Sequence, residues 1–102
     1  MPNPKLFMLT VDLSKLQQQR SQFIAFINNN KFIEDWSSPY EGVFLIASNS
    51  PAEEIASSMD EFIAKRAAYL VSGVELGNNY GSLPEVTWNW LQKFDYIGEE
   101  DA

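Results

Sequence analysis

The chain predicts an α+β fold: a four-stranded antiparallel sheet with two helices on one face and a further helix at the C-terminal end. Three observations predict it. Two short segments, Lys5–Leu13 (KLFMLTVDL) and Val43–Ser48 (VFLIAS), are apolar on both alternating faces, as central strands covered on both sides must be. Strand-like and helix-like patterns alternate along the chain. Its 102 residues, 45% hydrophobic, suffice for one core and not two. A single domain over residues 1–98 followed by an acidic tail, 99–102, is the expected organisation.

In the first strand Phe7, Leu9, Val11 and Leu13 form one row and Leu6, Met8 and Thr10 the other, which Asp12 ends. Ser14 and Gln17 then have the spacing of a capping box, so a helix is expected from there, with Leu16, Phe23, Ile24 and Ile27 inward. Asn28, Asn29 and Asn30 favour its termination. Phe32–Trp36 reads as an edge strand, and the following SSPYEG as a turn. After the strand Val43–Ser48, Ser50-Pro51-Ala52-Glu53 predicts a second helix, with Ser50 as cap and Pro51 at its first position. Ile55, Met59, Phe62 and Ile63 are its inward stripe, and Lys65 and Arg66 fall near its C-terminal end. Residues 67–76 form the expected fourth strand, 77–81 a loop, and Ser82-Leu83-Pro84-Glu85 the start of a third helix. Bulky residues on more than one side of that helix, Val86, Trp88, Trp90, Leu91 and Phe94, suit contact with two surfaces.

The resulting order, βαββαβ plus a helix, suggests the ferredoxin-like arrangement with strands one and three central. Their outer rows, Leu6 and Met8 on one and Val43 and Leu45 on the other, then form an apolar patch. A symmetric homodimer built on this open face is expected, with the third helix or the loop before it helping to seal the contact.

Composition narrows the chemistry. Without cysteine there is no disulfide framework or thiolate metal site, and without histidine the commonest general base and zinc ligand are missing. Catalysis would need carboxylates, hydroxyls, lysines or a hard metal ion. No run approaches a membrane span and the start lacks a leader pattern, so a cytoplasmic protein without a membrane partner is expected. The net charge of −7 is uneven: residues 1–31 hold four bases against one acid, and residues 32–102 three bases against thirteen acids. Such acidity disfavours general binding to phosphate backbones and leaves Lys15, Arg20 and Lys31 as the candidate phosphate contacts. The plain reading of these three is a solvated helix face, and that of the acidity is solubility.

Three stretches together resemble one group of proteins. They are TVDL at the end of the first strand, the run from Trp36 to Ile55 containing PYE, FLI and SPAEEI, and GSLPE followed by WNWL from Gly81 to Leu91. The group comprises the small CRISPR adaptation subunit and ferredoxin-like relatives that include virulence-associated protein D; the chain looks most similar to the relatives outside CRISPR loci. The resemblance implies a dimer of ferredoxin-like protomers. For members that act as nucleases it also implies a metal ligand, and catalytic carboxylate, at the aspartate ending the first strand, here Asp12. Two such carboxylates across a two-fold axis would hold a magnesium or manganese ion against a phosphodiester. Read from the residues alone, Asp12 equally orients the strand-to-helix turn near Ser14. Trp36, Trp88 and Trp90 read as core and dimer-seam residues rather than base-stacking platforms. Two function classes follow: a noncatalytic interaction or architectural dimer, with a basic protein as a candidate partner, or a metal-dependent nuclease.

Overall fold

The structure, a computed structural model, describes residues 4–74 and 81–93. Their elements are β1 (Lys5–Val11), two 3₁₀ turns (Leu13–Lys15 and Gln17–Gln19), α1 (Arg20–Asn28), β2 (Asp35–Tyr40), β3 (Val43–Ser48), α2 (Ala52–Ile63), β4 (Tyr69–Gly73) and α3 (Glu85–Gln92). The strands form one open antiparallel sheet in the order β2-β3-β1-β4. The strands with two apolar faces, β1 and β3, are therefore the inner pair, and β2 and β4 are the edges.

Alternation along the strands divides the core into two layers. On the first face Phe7, Leu9 and Val11 of β1 and Phe44 and Ile46 of β3 pack with Phe23 and Ile27 of α1 and Ile55, Met59 and Ile63 of α2. On the second face Leu6, Leu45 and Ala47 pack with Trp90 and Leu91 of α3. Two helices thus cover one face, while one short helix of the same chain covers part of the other. No helix among the described residues is long and apolar enough to cross a membrane.

Several boundaries differ from the expected ones, each for a local reason. The first α-helix starts at Arg20 rather than near Ser14; two 3₁₀ turns precede it, and Asp12 instead of Ser14 caps the first of them, accepting the Ser14 N–H at 3.1 Å. Leu13 and Leu16, three residues apart, both enter the core, a spacing that suits a 3₁₀ turn. The strand expected at Phe32–Trp36 lies instead at Asp35–Tyr40. Around Phe32, side chains take the backbone groups that a ladder would use: Asn30 accepts the Phe32 N–H at 2.8 Å, and the Ser48 hydroxyl donates to the Phe32 carbonyl. Pro39 is tolerated because β2 is an edge strand with a register shift between Ser37 and Tyr40. The reversal shrinks to Glu41-Gly42, with Gly42 at φ +83°.

Ser50 does not cap α2; its N–H donates to the Ser48 hydroxyl at 2.9 Å, and Pro51 in extended geometry precedes the first turn. At the other end Ala64 and Lys65 both take left-handed backbone angles, and Arg66 turns back over the helix terminus. Its guanidinium donates to the Phe62 and Ile63 carbonyls, satisfying groups that α2 leaves open. The described fourth strand is Tyr69–Gly73 within the expected 67–76, and the expected loop at 77–81, except its last residue, and the tail at 99–102 lie outside the described residues.

Candidate functional site

A polar concavity lies where β1 ends against the β2–β3 turn. The Asp12 N–H continues the ladder to the Ala68 carbonyl and the Val11 N–H donates to the Gly42 carbonyl, both at 2.9 Å. Gly42 makes this approach feasible: a Cβ there would lie 3.0 Å from the Val11 oxygen. The cleft that results, about 280 Å³, is lined by Val11, Asp12, Leu13, Ser14, Gln17, Arg20, Glu41 and Gly42.

Two of the sequence-selected residues, Asp12 and Arg20, thus meet in one place. One Asp12 oxygen accepts from both the N–H and the hydroxyl of Ser14, which is the turn-orienting arrangement. Arg20 is ion-paired with Glu41, and both side chains are more than half exposed, so water screens the pair. Lys15 is exposed in the first 3₁₀ turn, outside the cleft lining. Lys31 also lies outside the cleft lining, with its ammonium 5.2 Å from the centre of the Phe32 ring. Among the described residues no group of three or more potential ligands could hold a metal ion. In this cleft one Asp12 oxygen is engaged by Ser14, and Glu41 pairs with Arg20.

The four residues expected at a dimer contact divide into two pairs. Leu6 and Leu45 are buried under α3 of their own chain, whereas Met8 and Val43 remain half-buried. Part of this sheet face lies beyond the cover of α3. It consists of the row at the opposite end of the strands, where Tyr40, Val43, Thr10 and Leu70 lie in register across the four strands. Tyr40 is 60% exposed and Leu70 63%. Leu70 escaped the sequence reading because no helical or strand periodicity says where a helix from elsewhere in the chain will stop covering a sheet.

The same is true of the group that anchors α3. The Asp35 carboxylate accepts from Lys93 at 3.1 Å and from the Trp36 N–H at 2.8 Å. Partial burial raises the Asp35 pKa, but donors that include Lys93 and Trp36 outweigh it and hold the carboxyl below its ordinary value. Across the sheet the Tyr69 hydroxyl lies 2.6 Å from Asp60 and 3.0 Å from the Ala56 carbonyl, tying β4 to α2. Burial, and then the Asp60 charge, push this phenol up to about 12. Trp36 belongs to the first-face core and Trp90 to the second, with Trp88 half-buried beside it.

The fold and these sites define a small α+β protein whose open sheet carries two helices on one face and one on the other. No family model, curated protein or solved structure matches the chain.

Proposed function

We propose that the chain is a noncatalytic interaction or architectural module of ferredoxin-like type that pairs with a second copy of itself. The observation that carries this reading is the row Tyr40–Val43–Thr10–Leu70, in which Tyr40 and Leu70 stay largely exposed beside a half-buried Val43 after the described helices have taken their places. Apolar surface of this kind favours association by about 25 cal/mol per Å² removed from water, before ordering costs. The element order and the central position of β1 and β3 support the ferredoxin-like assignment, and with it the proposed kinship to the CRISPR adaptation subunit-like group. The excess of acids after residue 31 suits a basic protein as a further partner, bound in a salt-sensitive way. Sedimentation velocity of the full chain tests the reading: a dimer at micromolar concentration is expected, and a monomer at tens of micromolar overturns it.

The meeting of Asp12 and Arg20 in one cleft favours a second reading, a metal-dependent nuclease in which two copies each contribute an Asp12 carboxylate. It predicts cleavage of nucleic acid in magnesium or manganese that disappears in Asp12→Ala while the oligomeric state is kept. Cleavage that survives the substitution removes this assignment.

A further inference from the structure

Backbone pairing at the two sheet edges is unequal. Along β4 the Val74 N–H donates to Leu6 and the Asp12 N–H to the Ala68 carbonyl, both at 2.9 Å. In an antiparallel ladder such bonds recur at alternate residues, so positions 68, 70, 72 and 74 face β1 with their N–H and C=O groups. Tyr69, Val71 and Gly73 therefore turn theirs outward, and no strand among the described residues pairs with them. The other edge is guarded. On β2, Pro39 removes a donor, the register shift bends the strand, and Asp35 and its bond to Lys93 tie it to α3. β4, with the sequence YLVSG, has no proline, charge or bulge.

We infer that two copies join edge to edge through β4, antiparallel about a two-fold axis at Val71. This inference rests on the proposed self-pairing and specifies where it occurs. The register is self-complementary. Val71 pairs with its own counterpart and Tyr69 with the partner's Gly73, so the outward-facing groups of both strands are matched by roughly six backbone bonds. Leu70 then lies opposite the partner's Ser72 and diagonal to the partner's Leu70, close enough for the two exposed leucines to cover each other. The helices behind the strands agree in charge. The five-residue connection from Ile63 to Tyr69 returns the chain beside α2, and the Tyr69–Asp60 bond holds the two together, so the α2 helices of the two copies also run antiparallel. Glu53 and Glu54 at the acidic start of one α2 are then directed toward the end where the other carries Lys65 and Arg66. A peptide from an unrelated protein could match the backbone groups but not this twofold agreement of Leu70 and helix-end charge.

The test uses the cysteine-free full chain and substitutions at exposed positions that leave its core intact. In Leu70→Cys/Ser72→Cys, mild oxidation is expected to give a covalent dimer that reductant dissolves, since directly opposed residues in the narrow pairs of an antiparallel ladder have disulfide spacing. Thr10→Cys, away from the axis, is expected to give no such product. Leu70→Lys, which sets like charges diagonally across the axis, is expected to weaken the dimer at least tenfold in sedimentation equilibrium with an unchanged circular dichroism spectrum. If the wild-type chain dimerises but the double-cysteine variant does not cross-link and Leu70→Lys has no effect, the edge assignment is overturned while self-pairing stands. A wild-type chain that stays monomeric overturns both.

Discussion

Replacing Trp90 by alanine removes the largest side chain that α3 inserts against the second sheet face. Trp90 is 9% exposed and packs among Leu6, Leu45, Ala47 and Leu91. A tryptophan buries about 150–250 Å², which at about 25 cal/mol per Å² corresponds to about 4–6 kcal/mol, an upper bound because the unfolded chain is not fully extended. Measured truncations of buried aromatics cost about 3–5 kcal/mol, transfer and cavity effects together. A cost of about 4 kcal/mol is therefore expected. For a chain of this length total stability is of the order of 5–15 kcal/mol, so the variant is brought near the unfolding threshold. Urea unfolding followed by circular dichroism, at fixed protein concentration so that association does not confound the comparison, measures the difference. Half-buried Trp88 sets an internal control: Trp88→Ala is expected to cost about half as much. A loss below about 1 kcal/mol for Trp90→Ala, or a larger loss for Trp88→Ala, would refute the conclusion that α3 seals this face through Trp90.

Other predictions concern the groups that fasten the elements. Asp35 has a folded-state pKa below its unfolded value, so its contribution is present above pH 4 and disappears as pH falls through the folded value; Asp35→Asn is expected to flatten the acid limb of the stability profile, read from urea midpoints between pH 2 and 6. Tyr69 is the opposite case: with the phenol raised to about 12, its stabilisation is complete below pH 10 and lost between pH 10 and 12. Absorbance titration of the phenolates should show one late component that Tyr69→Phe deletes. Gly42→Ala forces a side chain into a left-handed angle and against the Val11 carbonyl, and a loss of about 1–3 kcal/mol in thermal or urea unfolding is expected.

The sequence disclosed most where one residue type leaves the chain a single choice. Val43–Ser48 is a strand with the expected bounds because six consecutive apolar or small residues, β-branched and aromatic among them, have nowhere to go but a doubly covered position. Asp12 was legible as a candidate, and its bonds to Ser14 follow from the short side chain two residues ahead of an N–H. Less legible were features settled by distant partners. Nothing near Asp35 announces Lys93, 58 residues further on, and that bond helps decide which end of the second face α3 covers. Because Leu6 and Leu45 were identical in pattern to Met8 and Val43, periodicity alone could not say which pair would be buried within one chain.

That asymmetry bears on how an acidic chain with little polar machinery could be useful. The first sheet face carries two helices and is closed; the second carries α3 at one end, leaving the Thr10–Leu70 end open next to the unguarded β4 edge. Burying Leu6 and Leu45 internally reduces the apolar area available for association, so a pairing here draws more on backbone bonds and register than on hydrophobic area. Register is the more selective of the two, since a one-residue slip between the two β4 strands would set the outward-facing backbone groups of one opposite the inward-facing positions of the other. If the proposed pairing holds, it would select its partner by geometry more than by apolar area.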